Sequence, residues 1–225
     1  MEHMELEETV KKSIAVLGLG MFGKSLVRSL SELGADVLAV DVNETNVKEV
    51  ADFCSEAVCA DLANEESLKE LVLRDMDTVV VAVGRNLEAS IFSVAAAKEQ
   101  GVPYIVAKSS SDRMSSILRK IGADRVIMPE EYAGKRAAAI LVMETMLDYF
   151  QVDDNLCMVE MLPLSEWVGK TPSQLNIRKA YDANVVARKD DSGIWMMIDP
   201  EQPLKENNEL LVVVERRNLG RLKGK

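Results

Sequence analysis

The sequence is short of aromatics, histidine and cysteine, and it has no long apolar run. Aromatic residues make up 4% of 225 residues, and the single histidine is His3. One histidine beside the start excludes Ser-His-Asp chemistry and histidine-rich metal sites. Cys54, Cys59 and Cys157 are an odd number without a framework, which excludes a disulfide scaffold. They read as small apolar core residues in a reducing compartment; a metal site using Cys54 and Cys59 is the rival reading. The longest apolar run, 78–84, falls far short of the roughly 20 residues of a membrane-spanning helix. The opening MEHMELEETV is acidic and lacks the apolar stretch of a secretory signal, so a cytoplasmic location without direct membrane insertion is expected. Positive charge is in deficit: 27 Lys and Arg stand against 37 Asp and Glu, a formal net charge of −10. That balance speaks against gripping nucleic-acid phosphates.

What the sequence does have is alternation. Short β-rich runs at 13–18, 36–41, 57–60, 78–83, 104–107 and 125–128 are separated by helical patterns at 22–33, 44–53, 65–71, 87–100, 112–121 and 131–150. Several strands are continuously apolar (VLAV, TVVVAV), as expected when both faces are covered. Asn64 before Glu65 and Glu66 reads as an N-cap, and Gly34, Gly101 and Gly122 as left-handed C-caps. Six β-α alternations predict an α/β fold, a Rossmann-like doubly wound parallel sheet. After a polar break at 151–155 the runs shorten: strands at 157–162, 184–188, 194–198 and 210–214, with turn signals at 191–193 and 199–200 and short helices at 172–175 and 176–181. The expected organisation is a nucleotide-binding domain over 12–150 and a small α+β domain over 155–225.

The chemistry gathers in the first β-α turn, where IAVLGLGMFGKSL carries G-x-G-x-x-G between a strand pattern and a helix pattern. Gly18 permits the tight turn, Gly20 lets backbone approach a phosphate, and Gly23 lets helix pack on sheet. Asp41 ends the second strand, 18 residues after Gly23, where an acid bonds ribose hydroxyls and repels a 2′-phosphate. Asp61, Gly84, Arg85, Lys108 and Glu130 follow later strands and fall at the same sheet edge. Lys108 and Arg85 read either as phosphate partners or as solvated charges. Glu130 reads either as a helix N-terminal acid or as part of a divalent-cation site bridging phosphates. Tyr104 and Lys108 have the Y-x-x-x-K spacing of short-chain dehydrogenases. That pair needs a helix to share a face, and Pro103 with the apolar run makes the segment a strand.

These pieces resemble the RCK (regulator of conductance of potassium) family, built of TrkA-N and TrkA-C domains, and within it the regulatory subunits of Ktr-type potassium uptake systems. The resemblance runs from about Lys12 to Leu222, on VLGLGMFGKSL, VLAVDVNE, TVVVAVGRNLEAS, KIGADRVIMPE and VGKTPSQLNIRKAYDANVVARK. It implies that the first domain binds ATP/ADP or NAD/NADH without redox turnover. Gly18, Gly20, Met21, Phe22 and Gly23 would form the phosphate turn, and Asp41 and Asn43 would hold the ribose. Asp61 and Leu62 would lie near adenine, Gly84 and Lys108 near the phosphates, and Glu130 near the terminal phosphate and a Mg2+ or Ca2+ ion. Ktr-type chains often carry Arg within GLGxFG; Met21 departs from that, and Arg85 is a partial substitute. The second domain resembles those that bind cyclic di-AMP, which implies Leu175, Ile177, Arg178, Asn184, Val185, Val186 and Pro200 as its contacts. Arg178 is the natural phosphate partner.

The resemblance also implies a homodimer joined through the 131–150 helix, assembling to an octameric ring under a membrane potassium channel or transporter subunit at the inner face of the plasma membrane. Within that helix a buried stripe is expected from Ala133, Ala137, Ile140, Leu141, Met143 and Leu147. The chain is expected to sense its ligand, not to be an enzyme. An NAD-dependent oxidoreductase is the alternative, but it would need a substrate pocket with a proton donor facing the cofactor.

Overall fold

The computed structural model describes residues 11–190 and 192–223. His3 with the acidic opening stretch, Asp191 of the expected 191–193 turn, and the last two residues of the second expected domain lie outside these. The chain divides into two compact units, the first ending at Glu131 and the second starting at Tyr132.

In the first unit β1 (Ser13–Leu17) leads through α1 (Met21–Glu32) to β2 (Asp36–Asp41), α2 (Glu44–Lys48), β3 (Glu56–Cys59) and α3 (Glu65–Glu70). Then follow β4 (Thr78–Val81), α4 (Leu87–Glu99), β5 (Tyr104–Lys108), α5 (Asp112–Ile121) and β6 (Arg125–Ile127). Among the described residues the sheet has six strands, all parallel, in the order β3-β2-β1-β4-β5-β6. The two halves wind away from the β1–β4 pair, which is the expected Rossmann-like order. Burial on both faces explains the continuous apolar strands. Leu17, Leu38 and Val40 join one cluster with Leu73, Val94 and Ile105, whereas their neighbours Val16, Val37 and Ala39 join another with Val27 and Val50. Each fully buried Val or Leu contributes about 1.5–3 kcal/mol.

Side-chain caps fix where the helices begin. Asn43, Asn64, Asn86 and Ser111 accept bonds from first-turn N–H groups of α2, α3, α4 and α5. The α1 helix has no side-chain cap and starts from Gly20. Gly122 ends α5 at φ 126°, the positive value expected of it.

From the first unit α6 (Pro129–Val142) leads into the second. Here β7 (Met146–Gln151), β8 (Leu156–Met161), α7 (Pro172–Leu175), α8 (Ile177–Tyr181), β9 (Ala183–Lys189), β10 (Trp195–Met197) and β11 (Leu210–Glu215) follow in turn. The strands pair antiparallel in the order β10-β9-β11-β8-β7. Val159, Met161, Trp167, Leu204, Leu210 and Val212 form the core of this unit.

The expected helix over 131–150 is corrected. It ends at Val142, and Met146–Gln151 is a strand paired with β8. The apolar residues at 140, 141, 143 and 147 mimic a helical period, but Tyr149 and Phe150 favour a pleated surface and β8 supplies the partner. The helix is therefore about 21 Å long by its rise per residue, instead of about 30 Å. Its expected buried stripe is corrected too. Ala133, Ala137, Leu141 and Leu147 are exposed, Ile140 is half-buried, and only Met143, beyond the helix, is buried. Because β7 belongs to the second sheet, the division falls at 131/132 rather than near 150. Arg136 holds β7 to α6: its guanidinium donates two bonds to Asp148, at 2.6 and 2.5 Å. Cys157 is buried as expected, but Cys59 is exposed, so the core reading fails there.

Candidate functional site

Between β1 and β4, where the strand order reverses, the carboxyl ends of the strands leave a crevice of about 450 Å3. Three glycines shape its floor, for different reasons. Gly18 has φ 98°, and a Cβ there would lie 2.9 Å from the Val83 nitrogen. A Cβ on Gly23 would lie 2.0 Å from the Gly18 carbonyl oxygen. Both positions need glycine for the chain's own sake. Gly20 does not: its φ is −67°, and a Cβ would meet nothing within 4 Å. Absence of a side chain at Gly20 leaves room for something outside the chain to approach the backbone.

Asp41 ties the second strand to this turn. Its Oδ2 accepts from the Leu19 N–H at 2.6 Å, and its Oδ1 accepts from the Asn43 N–H at 2.8 Å and the Asn46 side-chain amide at 3.3 Å. A carboxylate has about four acceptor positions, so Asp41 retains capacity for a ribose hydroxyl. Asp61 accepts from the Ala63 N–H at 2.9 Å, and Leu62 beside it is buried. On the other side of the turn, the Lys108 ammonium lies 2.5 Å from Glu130 and 5.9 Å from the Phe22 ring centre. The Lys108 hydrogen bond holds the Glu130 carboxyl below the ordinary glutamate range, against the opposing effect of its partial desolvation.

Gly18, Gly20, Met21, Phe22, Asp41, Asp61, Leu62, Gly84, Arg85, Lys108 and Glu130 all line the crevice. Asn43 and Gly23 do not. Asn43 caps α2 through its side-chain oxygen, and Gly23 sits at the packing contact beneath the turn. Met21 at the rim is 93% exposed. Val42, Ala82, Val83, Asn86 and Ala89 also line the crevice and were missed. Ala82 and Val83 lie inside the expected 78–83 strand and Val42 directly follows the 36–41 strand, so the carboxyl ends of those strands were the signal; Asn86 caps α4 and Ala89 lies in its first turn. The lining contains no Ser, Thr, Cys, His or Tyr among the described residues. Tyr104 and Lys108 stand at opposite ends of β5, about 13 Å apart by the rise of a strand. The arrangement offers acceptors at one end, a bare backbone turn at the helix start, and an ammonium beyond it. Ribose, phosphate and a further anion would meet matching chemistry in that sequence.

In the second unit the residues implied for a second ligand divide between surface and core. Arg178, Asn184 and Pro200 are exposed, Leu175, Val185 and Val186 are half-buried, and Ile177 is buried. Two backbone bonds bring parts of the set together: the Ser173 N–H donates to Pro200 at 3.0 Å, and the Ile198 N–H to Val186 at 3.1 Å.

The pattern of the TrkA-N domain matches residues 14–129. Ktr system potassium uptake protein A of Vibrio alginolyticus is 38% identical over 207 residues, covering 92% of this chain and 94% of that protein. The chain belongs to the Ktr family of TrkA-N proteins. Ktr system potassium uptake protein C of Bacillus subtilis (strain 168) is 42% identical over 180 residues, 80% of this chain and 81% of the relative. Among solved structures, the GsuK RCK domain superposes with a TM-score of 0.63 at 17% identity, and the GsuK channel bound to NAD with 0.64 at 17%. The chain covers 48% and 40% of those two chains, so it spans less than half of each. At such identity the likeness establishes an RCK fold. No helix among the described residues of this Ktr-family chain is long and apolar enough to cross a membrane.

Proposed function

We propose that this chain is the ligand-sensing regulatory subunit of a Ktr-type potassium uptake system. It holds an adenine nucleotide, ATP/ADP or NAD/NADH, in the β1–β4 crevice and acts on a membrane-embedded potassium channel or transporter subunit. It is a sensor and not an enzyme, sited in the cytoplasm against the inner face of the plasma membrane through that partner. The observation that carries the reading is family membership over nearly the whole chain, combined with a crevice whose central glycine has no internal reason to be glycine. Asp41 and Asn43 serve the ribose, Asp61 and Leu62 the base, and Gly84, Arg85 and Lys108 the phosphates. Glu130 would help hold a Mg2+ or Ca2+ ion beside the phosphates, where the ion would offset their negative charge. No group of three or more acid, His or Cys ligands stands among the described residues. Such an ion would take most of its ligands from phosphate and water, as Mg2+ commonly does.

The second unit binds cyclic di-AMP between two copies, with Arg178 on its phosphate and Leu175, Ile177, Asn184, Val185, Val186 and Pro200 around it. Copies pair through α6, whose Tyr132, Leu141 and Val142 are exposed in the single chain, and the dimers close into an octameric ring. Ligands drive the ring only by preferring one of its shapes, with coupling of about 1–3 kcal/mol.

Thermal-shift titration with ATP, ADP, NAD, NADH and cyclic di-AMP tests the reading, since a ligand of the folded state at a hundred times its Kd stabilises by about 2.7 kcal/mol. Asp41→Asn is expected to abolish the shift from the adenine nucleotides alone, and Arg178→Ala that from cyclic di-AMP alone. Steady NADH oxidation with a metabolite, followed at 340 nm, would replace the sensor with an oxidoreductase.

A further inference from the structure

We infer that the first unit carries a second anion-binding lobe, opening beside the crevice between the starts of α4 and α5, in which Arg85 and Arg113 hold a phosphate-class group. The lobe is a separate cavity of about 470 Å3 that shares the 83–86 wall and Lys108 with the crevice. Its charge is what sets it apart. Arg85, Lys108 and Arg113 line it, and no Asp or Glu does, in a chain of net charge −10. The crevice next door has Asp41, Asp61 and Glu130 in its lining. Lys108 is engaged by Glu130 from the crevice side. Arg85 and Arg113 are exposed and form no ion pair among the described residues. Two unpaired guanidiniums, each a planar fork of donors, suit a phosphate better than any neutral group. The neighbouring serines are sorted accordingly. Ser109 and Ser111 spend their hydroxyls on backbone, at 2.9 and 3.3 Å, whereas Ser110 is exposed with its hydroxyl unengaged.

The division of charge gives the bound molecule a direction. Base and ribose lie toward Asp41 and Asp61, and the anionic end lies toward Arg85 and Arg113. A polyphosphate tail matches that polarity, and the cationic ring of oxidised NAD opposes it. The same donors would equally take a separate free phosphate placed beside a shorter nucleotide. Only this choice of source rests on the nucleotide reading of the crevice; the lobe itself does not.

The test is calorimetric titration of AMP, ADP and ATP into the full chain and into Arg113→Ala, Arg85→Ala and Arg113→Lys. Loss of one charged hydrogen-bonding partner is expected to weaken ATP by about tenfold in either alanine variant. In Arg113→Ala, which lies outside the crevice, AMP should stay within about twofold, and Arg113→Lys should recover part of the ATP loss. In a second arm, inorganic phosphate is added at matched ionic strength, with and without AMP, and melting is followed. Phosphate that raises the melting point of the full chain and not of Arg113→Ala assigns the lobe to a free anion. That result supports the lobe even if no nucleotide binds, in which case the nucleotide reading falls and the lobe stands. ATP affinity and phosphate stabilisation both unchanged in the alanine variants would overturn the inference. So would an equal loss of AMP and ATP in Arg113→Ala, which marks general damage to the turn.

Discussion

The two units bury their strands in different ways. In β2 and β4 of the first unit, successive residues are buried without a break, because helices cover both faces of a parallel sheet. In β8 and β11 of the second, every other residue is buried, because one face of an antiparallel sheet carries the core. The difference governs where a ligand can go. A sheet covered on both faces has its free space at the carboxyl ends of its strands, so the crevice is set by topology before any side chain is chosen. A sheet covered on one face has no such fixed place.

The two units differ most sharply at Gly18 and Gly23, where backbone closes the space a Cβ would need, whereas at the described glycines of the second unit a Cβ would meet nothing within 4 Å. Gly23→Ala forces a carbon into the Gly18 carbonyl. It should cost about 3 kcal/mol, the upper range for overpacking, and abolish nucleotide binding. Both tryptophans, Trp167 and Trp195, lie in the second unit. Tryptophan fluorescence therefore reports that unit alone, and its denaturation midpoint should hold while circular dichroism shows the first unit melting early. Gly20→Ala sharpens the contrast: stability should stay within about 0.5 kcal/mol, while nucleotide affinity falls.

Core deletions in the two units should be nearly equal and separately visible. Leu17→Ala is expected to cost about 3 kcal/mol and Val159→Ala about 2 kcal/mol. Only the second should move the fluorescence midpoint.

A smaller effect belongs to the strand that was mistaken for helix. Arg136 beside Asp148 holds that carboxyl below the ordinary aspartate value through two hydrogen bonds, more than offsetting its partial desolvation. A lowered folded-state value stabilises fully above the ordinary value of about 3.9. That contribution is lost as pH falls below 3.9 or so and through the folded value. Asp148→Asn should remove about 1 kcal/mol at pH 7 and flatten the acid limb of the fluorescence-monitored curve. Smallest of all is Glu130→Gln. Its carboxylate is well exposed, so stability should change by less than about 0.5 kcal/mol. Nucleotide binding, measured with and without Mg2+, should lose its dependence on the metal.

How much of this the sequence disclosed follows the same division. The first sheet was readable because several of its strands are continuous apolar runs and its helix ends carry local markers, the Asn64 side chain at the start of α3 and the positive-φ Gly122 at the end of α5. The glycine turn and Asp41 were readable because their spacing is mechanical. The run at 146–151 was not. Its apolar residues fit a helical period as well as an alternating one, and the choice was made by β8, which no local window contains. Asn43 was named for a ribose role from position in a motif; that its side-chain oxygen caps α2, so that a ligand would meet its amide nitrogen, was not legible in the sequence. Which cations are free was also invisible. Lys108 and Arg85 look alike in sequence; the Glu130 contact, the Phe22 ring and partial burial of the Lys108 side chain separate them.

One bond has a mechanical consequence. The Leu19 amide in the glycine turn is held by Asp41 at the end of the adjacent strand. In the proposed binding mode, a sugar that draws on that acid tugs the loop that would face its own phosphates. Adenosine and pyrophosphate offered as separate pieces should then bind with energies that fail to add up to those of the joined molecule, and the shortfall would measure how stiffly the sugar end and the phosphate end are yoked.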